Sequence, residues 1–387
     1  MALIPPPLHG TVRSIYRMHE DRAERAPRPY LGCSELGEAC SRRLWLSFRW
    51  AGREQFDGRM LRLFGTGERE EARLIEELVA IGVEVEGPQF EVEAFGGHLK
   101  GHLDGAVLGL EEAPKAWHVL EVKTFKAKLF AEIVTKGVAE AKPVHWAQLQ
   151  LYMGLTGMER AAYFAICKDD DQIDLQRVDF DKSAFAKLMA KAEAVIFADL
   201  PPLRISDDPA WFACRFCPFH AQCHGTKVPA MSCRSCAHAT PIPAGGLGCE
   251  YHGAELDEPS QRAGCGEHRY IPILLEHVAE LVEASDGNRV RWRNKLTGRT
   301  FDQPGYDSSE LANAADFRVI GDDFVQEFKK VFGNEARVIA PQPKRDDCFV
   351  DDLPWSNDGQ GSTASAAARD AKWARPARSH QRRLPVV

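Results

Sequence analysis

The chain has 387 residues, of which 44% are hydrophobic and 27% are charged, and its formal net charge is −7. This composition is typical of a globular protein and excludes a wholly disordered, collagen-like or coiled-coil chain. No run approaches the roughly 18 apolar residues of a membrane-spanning helix, and the N-terminus lacks a secretory signal pattern. We therefore expect a cytoplasmic protein of two to three domains without a membrane partner.

The charge is distributed unevenly along the chain. Residues 1–63 contain 11 Lys and Arg against 7 Asp and Glu, a local excess of +4 within a negative total. A basic entrance beside an acidic metal site would give this pattern, and a solvated helix face would give it too. The net charge alone therefore does not exclude a nucleic-acid partner.

The hydrophobic periodicity predicts an α/β core. After a Pro- and Arg-rich stretch to about residue 29, apolar residues at helical spacing predict a helical region at 33–81. The next elements are predicted as strands at 83–93, 98–110 and 117–125, a helix at 142–155, strands at 161–167 and 173–180, and a helix at 183–199. Phe95-Gly-Gly97 predicts a tight turn between the first two strands. This order of elements indicates a mixed sheet with helices around it.

The composition changes after this core. A cysteine-rich stretch at 214–265 is followed by a predicted amphipathic helix at 271–284 and a hairpin-like segment at 289–299. The Gly- and Ser-rich end of the chain predicts disorder. We expect a flexible N-terminus (1–32), the α/β core (33–225), a cysteine-rich metal module (226–270), a small accessory module (271–350) and a disordered tail (351–387).

An acid and a lysine interrupt the apolar strand at 117–125. Glu121 and Lys123 share one face of this strand, and burying both without partners would be costly. Asp104 on the preceding strand could converge with Glu121 on a hard cation such as Mg²⁺ or Mn²⁺, with Lys123 activating a water molecule. An ordinary cross-strand salt bridge is the alternative.

Four motifs in this order resemble the PD-(D/E)XK nucleases, specifically their RecB-like exonuclease branch. The motifs are Gly67-Glu-Arg-Glu-Glu71, Asp104, Glu121-Val-Lys123 and Gln148-Leu-Gln-Leu-Tyr152. Two details depart from the family pattern. Glu71 stands where many relatives have His, so Glu68 or Glu70 could serve instead, and an Asp-Gly pair replaces Pro-Asp. The resemblance covers about residues 33–225 and implies a restriction-endonuclease-like core, with a central mixed sheet flanked by helices.

The same resemblance implies roles for these side chains. Asp104 and Glu121 would hold the divalent metal ion, and Glu71 would help directly or through water. Lys123 would position the attacking water and stabilise the charge that develops on the phosphate. Gln148 and Tyr152, four residues apart on one helix face, would orient the metal site or the DNA.

Three of the eleven cysteines form a first cysteine set after the last core helix. Because the chain lacks an export signal, its Cys-x-x-Cys spacings favour metal or cluster ligation over disulfides. The first set comprises Cys214, Cys217 and Cys223, which lack a fourth ligand, and Cys40 is the natural candidate. The resemblance to iron–sulfur nucleases of this branch, including those tied to CRISPR adaptation, implies a [4Fe–4S] cluster on these four.

Two alternatives to this ligand set stay open. The same cysteines could bind zinc, either all four or three of them with His220 or His224. Cys33 is the main rival to Cys40 for the N-terminal position.

A second cysteine set comprises Cys233, Cys236, Cys249 and Cys265. Glycine precedes both of the last two, and it permits the sharp turns that a chelating loop needs. We expect a closed four-thiolate zinc site, with His252 and His268 as substitute ligands and reduced, unliganded cysteines as the alternative. Cys33, Cys167 and Cys348 lie outside both sets.

The sequence thus predicts a divalent-metal-dependent DNA exonuclease that acts on single strands or DNA ends. By analogy with the family, recombination, repair or phage replication is the expected setting, with partner proteins from those processes. A non-catalytic nucleic-acid-binding protein with a degenerate nuclease face is the main alternative. A sequence-specific endonuclease on the same fold is a third interpretation.

Overall fold

The computed structural model describes residues 10–23, 26–52, 55–333 and 337–338. Its helices are α1 (Gly10–Arg22), α2 (Ser41–Phe48), α3 (Gly58–Ala80), α4 (Ala127–Lys136), α5 (Val138–Ala141), α6 (Pro143–Thr156), α7 (Lys182–Ile196), α8 (Phe212–Arg215), α9 (His220–Cys223), α10 (Glu258–Ala263), α11 (Ser308–Asn313) and α12 (Asp323–Phe332). None of the described helices is long and apolar enough to cross a membrane. The tail predicted to be disordered at 351–387, with Cys348 just before it, lies outside the described residues.

The strands are short and belong to four sheets. They are β1 (Leu31–Gly32), β2 (Glu84–Glu86), β3 (Phe90–Ala94), β4 (Leu99–Leu103), β5 (Gly105–Leu108), β6 (His118–Phe125), β7 (Arg160–Cys167), β8 (Ile173–Asp179), β9 (Ala239–Pro241), β10 (Leu247–Cys249), β11 (Ala254–Leu256), β12 (Ala279–Ser285), β13 (Arg289–Asn294) and β14 (Thr300–Gln303).

The central sheet has the strand order β2-β5-β6-β7-β8. β6 and β7 run parallel, with Glu121 opposite Tyr163, and the other neighbours are antiparallel. The predicted mixed sheet is therefore confirmed. β6 is the middle strand: Leu120 and Val122 on one face pack in the apolar cluster that contains α3 residues, and Val119 on the other face packs in the cluster of α6.

The predicted strand at 98–110 is wrong as a single strand, because it divides at Asp104. β4 pairs with β3 in a separate sheet, and β5 pairs with β6 in the central sheet. The Oδ2 atom of Asp104 accepts the backbone N–H of Val122 at 2.8 Å, so this carboxylate bonds to β6 where the chain changes sheet. The predicted strand at 83–93 also divides, because Gly87 and Gln89 have φ of 56° and 59° and form a turn between β2 and β3.

Helix α6 lies under the central sheet and confirms the predicted helix at 142–155. It begins with Pro143, whose fixed φ suits a first helical position, and ends at Gly157, which has a left-handed φ of 76°. Its residues from 147 to 153 are buried all around the helix, because α7 covers the side that the sheet does not. The predicted helix at 183–199 is α7, which Asp181 caps by accepting two backbone N–H groups.

The C-terminal part differs from the sequence prediction. The helix predicted at 271–284 is wrong: a short 3-10 turn at Pro272–Leu274 is followed by strand β12. The residues of β12 have good helix propensity, but antiparallel pairing with β13 outweighs that local preference. The hairpin-like segment at 289–299 begins with β13, which also pairs with β14 and buries Trp292.

The close packing of α6 on α7 predicts that a larger residue at Gly154 destabilises the protein. A Cβ atom at Gly154 would lie 2.3 Å from the ring of Phe185 on α7, which is closer than real contacts allow. We expect Gly154→Ala to lower the free energy of unfolding by about 1–3 kcal/mol through overpacking. Gly65→Ala in α3 is the matched control, because its nearest neighbouring atom lies 3.8 Å away. Thermal unfolding of both variants tests this, and equal melting temperatures would contradict the close packing.

Candidate active site and cysteine clusters

Glu121 lies at the centre of the candidate site, in the middle of β6. Its side chain is 1% exposed. Oε1 accepts a hydrogen bond from Gln148 Nε2 at 2.9 Å and forms an ion pair with Lys123 Nζ. Oε2 is buried and has no hydrogen-bond partner among the described residues. Burial, and then the nearby charge of Asp104, raise the pKa of Glu121 to about 7, although Lys123 opposes this shift.

Asp104 and Lys123 complete what we call the carboxylate–lysine cluster with Glu121. The Oδ2 atom of Asp104 lies 3.9 Å from Lys123 Nζ, and the Asp104 residue is 7% exposed. Burial alone would lower the pKa of Lys123, but the charges of Glu121 and Asp104 outweigh it and raise that pKa. The lysine therefore stays protonated beside two carboxylates, so the structure brings together the three side chains that the sequence analysis singled out.

Gln148 and Tyr152 connect helix α6 to the cluster. Gln148 Nε2 donates to Tyr152 OH at 3.1 Å as well as to Glu121, and Tyr152 OH donates to the backbone carbonyl of His102 at 2.9 Å. Burial raises the pKa of Tyr152, so the phenol stays protonated and keeps this bond. The chain of bonds fixes the orientation of the Glu121 carboxylate from below the sheet.

Glu71 lies on α3, close enough to the carboxylate–lysine cluster to interact with its charges. Burial, and then the charge of Asp104, raise its pKa, while a 3.1 Å hydrogen bond from Gln89 lowers it. Of its two alternatives, Glu70 forms an ion pair with Arg73, and Glu68 is exposed. Glu71 is thus the acid of this helix segment whose charge interacts with both Asp104 and Lys123.

The donor set suits a hard divalent cation. Glu121 Oε2 is an oxygen without a partner in a buried position, which is costly unless a cation or a proton meets it. Asp104 supplies a second carboxylate, and the Val122 carbonyl, which accepts from Lys123 Nζ at 3.2 Å, supplies a third oxygen nearby. Oxygen donors of this kind are those that Mg²⁺ and Mn²⁺ prefer. The Val122 carbonyl carries no signal in a side-chain motif, so sequence reasoning missed it.

The half-buried His145 and the buried Tyr163 form a pair that belongs to none of the sequence motifs. His145 Nδ1 and Tyr163 OH lie 2.8 Å apart, and Tyr163 faces Glu121 across the β6–β7 ladder. Burial, and then the charge of Lys123, lower the pKa of His145 to about 4, so this ring is neutral at physiological pH.

The first cysteine set lines one pocket. Cys40 before α2 meets Cys214, Cys217 and Cys223 there, together with His220 and His224. Burial, and then the thiolates of Cys223 and Cys40, raise the pKa of Cys214, which places these sulfurs within electrostatic reach of each other. His224 Nε2 is buried without a hydrogen-bond partner among the described residues, so it remains an alternative ligand. Cys33 does not line this pocket and packs against Gly101.

The second cysteine set lines another pocket, of about 270 Å³. All four of its cysteines contribute, and His252 and His268 lie at the same pocket. None of the described cysteines forms a disulfide. Within the described residues, no three His, Cys, Asp or Glu side chains are drawn together closely enough to ligate a metal ion. The pockets therefore gather the predicted ligands without showing a closed coordination sphere.

Comparison with known proteins identifies the family to which the first half of the chain belongs. Residues 8–224 match the family model of the PD-(D/E)XK nuclease superfamily, and this region contains the carboxylate–lysine cluster and the first cysteine set. The second cysteine set lies beyond it. No curated protein matches the chain in sequence.

Several solved structures match part of the chain at low sequence identity. SSO0001 has a TM-score of 0.35 and 17% identity, covering 56% of this chain and 96% of its own. An alkaline exonuclease from Laribacter hongkongensis has a TM-score of 0.34 and 17% identity, covering 47% of this chain and 90% of its own. A phage related exonuclease from Haemophilus somnus 129PT has a TM-score of 0.32 and 14% identity, covering 43% and 91%.

The raised pKa of Glu121 generates a pH prediction for the protein without added Mg²⁺ or Mn²⁺. A carboxyl whose pKa rises from 4.5 to about 7 on folding contributes stability below pH 4.5, and this contribution is lost as the pH rises through about 7. We expect the melting temperature to fall between pH 5 and pH 8, and Glu121→Gln to reduce that fall. Glu132→Gln, at an exposed acid on α4, is the control and should keep the wild-type pH dependence. Identical pH profiles for all three proteins would contradict the raised pKa.

Proposed function

The chain belongs to the PD-(D/E)XK nuclease superfamily, and on this basis we propose that it is a divalent-metal-dependent DNA exonuclease. It would hydrolyse phosphodiester bonds in single-stranded DNA or at DNA ends. The observation that carries the proposal is the buried Glu121 carboxylate, which has one oxygen without a partner and a protonated lysine at the other. If Glu121 served only in a structural salt bridge, we would expect its second oxygen to have a hydrogen-bond partner as well.

The residues that would hold Mg²⁺ or Mn²⁺ are Asp104, Glu121 and the Val122 carbonyl, with Glu71 contributing directly or through water. When bound, such an ion polarises the scissile phosphate and makes a water molecule more acidic. Gln148 and Tyr152 keep the Glu121 carboxylate in one orientation, because Gln148 donates to it and is itself bonded to Tyr152. This fixed geometry avoids reorganisation during the reaction.

Lys123 has the second role in this mechanism. Its ammonium group is only one-third exposed and lies between Asp104 and Glu121 at the end of the buried part of β6. A positive charge held there would orient the attacking water and stabilise the negative charge that develops on the phosphate in the transition state. The raised pKa of Lys123 means that it acts as a cation and hydrogen-bond donor, whereas a general base would need to be neutral.

The first test is degradation of end-labelled linear DNA, single- and double-stranded, with Mg²⁺ or Mn²⁺. We expect Lys123→Ala to lower the cleavage rate about 100-fold or more, because the transition-state charge loses its cation. Lys136→Ala, at an exposed lysine of α4 paired with Glu132, is the matched control and should cleave at the wild-type rate. Thermal unfolding of each variant verifies that it is folded.

The same assay separates the proposal from its alternatives. Closed circular DNA should survive an exonuclease, and its cleavage would indicate an endonuclease instead. DNA binding without cleavage by a wild-type protein that carries its full metal content would contradict the enzymatic proposal and favour a non-catalytic nucleic-acid-binding protein. The proposed biological setting is recombination, repair or phage replication, with partner proteins from those processes.

We also propose a metal centre for the first cysteine set, a [4Fe–4S] cluster on Cys40, Cys214, Cys217 and Cys223. The segment with the short helices α8 and α9 buries few side chains: Cys214 in α8, Phe219 between the two helices and Gln222 in α9. A cluster shared with Cys40 would hold this segment against the start of α2. Its role in the proposal is structural, so the cleavage chemistry does not pass through it.

The cluster proposal predicts that Cys217→Ser loses iron and the broad visible absorbance of a cluster after anaerobic purification, and that its melting temperature falls. Cys167→Ser, at a cysteine outside both sets, is the control and should retain both. Metal analysis and absorption spectra check this prediction. Zinc in place of iron in the anaerobic wild-type protein would support the Cys₃His or Cys₄ zinc alternative and contradict the cluster.

A further inference from the structure

The region that carries the second cysteine set has almost no hydrophobic core of its own. Its buried apolar cluster consists of Cys233, Cys236, Ala239 and Leu247, so half of its members are the cysteines themselves. The three strands β9, β10 and β11 have three residues each, and α10 has six. A unit with so few buried apolar groups needs a further source of stability, such as a disulfide or a metal ion. None of the described cysteines forms a disulfide.

The four cysteines of this set line one pocket of about 270 Å³. Cys233 and Cys236 come from a 3-10 turn and the residue that ends it, Cys249 from β10, and Cys265 from the segment after α10. The pocket thus gathers four thiols from three separate parts of the chain, although their side chains do not form a closed coordination sphere among the described residues. Thiols gathered in this way are a ligand set that becomes four thiolates when a cation such as zinc binds.

The fourth ligand is either Cys249 or a histidine. His268 is excluded, because both ring nitrogens are engaged: Nε2 lies 3.1 Å from Ser235 Oγ and Nδ1 lies 2.8 Å from Ser308 Oγ. His252 is exposed, and its Nε2 contacts Cys265 Sγ at 3.6 Å. Cys249 lies on β10, the middle strand of its sheet, where pairing with Ala239 and Ala254 fixes its position. We therefore favour Cys249 over the exposed His252 as the fourth ligand, because strand pairing on both sides holds Cys249 in place.

Arg234, between the first two cysteines, points into the nuclease part of the chain. It is 2% exposed, and its guanidinium donates to Phe48 O at 3.1 Å and to Pro29 O at 2.6 Å. It also lies 4.8 Å from the ring centroids of both Phe48 and Trp50. Its hydrogen-bond acceptors among the described residues, which also include Gln261 Oε1, are all neutral. A charge buried with only neutral partners is costly, so these hydrogen bonds must keep their geometry, and that geometry depends on the position of the turn that carries Arg234.

We propose that Cys233, Cys236, Cys249 and Cys265 form a structural four-thiolate zinc site whose metal ion fixes the Arg234 turn against the end of α2. Tetrahedral zinc with four sulfur ligands is the usual closed structural site. The metal would thereby stabilise the nuclease core from outside the region that matches the nuclease family. This inference does not depend on the proposed DNA cleavage, because it concerns metal content and stability.

Ligand identity is tested by zinc and iron analysis of the full-length protein and its variants. We expect one zinc per chain in the wild type, loss of that zinc in Cys249→Ser and Cys236→Ser, and its retention in His252→Ala and in the control Cys167→Ser. Iron should be retained in each of these variants if they fold. A wild-type protein without zinc, or a His252→Ala variant that loses zinc while Cys249→Ser keeps it, would overturn the assignment. X-ray absorption of the wild type, with four sulfur neighbours at about 2.3 Å expected, decides the question even if a variant fails to fold.

The connection to the nuclease core is tested by thermal unfolding. We expect zinc depletion of the wild type to lower its melting temperature, and Arg234→Met to lower it while one zinc per chain is retained. Arg291→Met, at an exposed arginine of β13 paired with Asp302, is the matched control and should melt as the wild type does. Unchanged melting after zinc depletion, or in zinc-loaded Arg234→Met, would overturn the structural role of the turn.

Discussion

The burial of Glu121 next to Lys123 on one strand, with Asp104 beside them, is the constraint on which the rest of this structure depends. β6 is the middle strand of the central sheet, so polar groups placed there lose their hydration and must find partners in the protein. Glu121 obtains Lys123 and Gln148, and Asp104 obtains the Val122 amide. One oxygen of Glu121 remains without a partner among the described residues. A cation bound next to this oxygen would supply the missing partner.

The supporting framework follows from this constraint. Asp104 reaches β6 only because the chain leaves one sheet and enters another at that residue, which ends β4 and begins β5. On the opposite side of the cluster, α6 must present Gln148 and Tyr152 on the same face, and its tight packing on α7 at Gly154 holds it there. The bond from Tyr152 OH to the His102 carbonyl then connects α6 back to β4. The geometry of the site therefore depends on both the change of sheet at Asp104 and the packing of α6 on α7.

Much of the site could be predicted from sequence because its signals are local. The Glu121-Val-Lys123 spacing places both side chains on one strand face, and the spacing of Gln148 and Tyr152 places them on one helix face, whatever the tertiary structure. The split of the strand at Asp104 could not be predicted, because it results from a hydrogen bond to a strand distant in sequence. The same holds for β12, where pairing with β13 overrides helix propensity, and for Arg234, whose burial depends on contacts with Phe48 and Pro29 far along the chain.

In the proposed function, the carboxylate–lysine cluster is the site of a catalytic divalent cation. Titration of Mn²⁺ into the purified protein, followed by electron paramagnetic resonance of the free ion, measures this binding without depending on the DNA substrate. We expect the wild type to bind Mn²⁺ and a folded Glu121→Gln variant to bind it far more weakly, because the side chain has lost its negative charge. Equal binding of Mn²⁺ by the two proteins would show that the cluster is not the cation site.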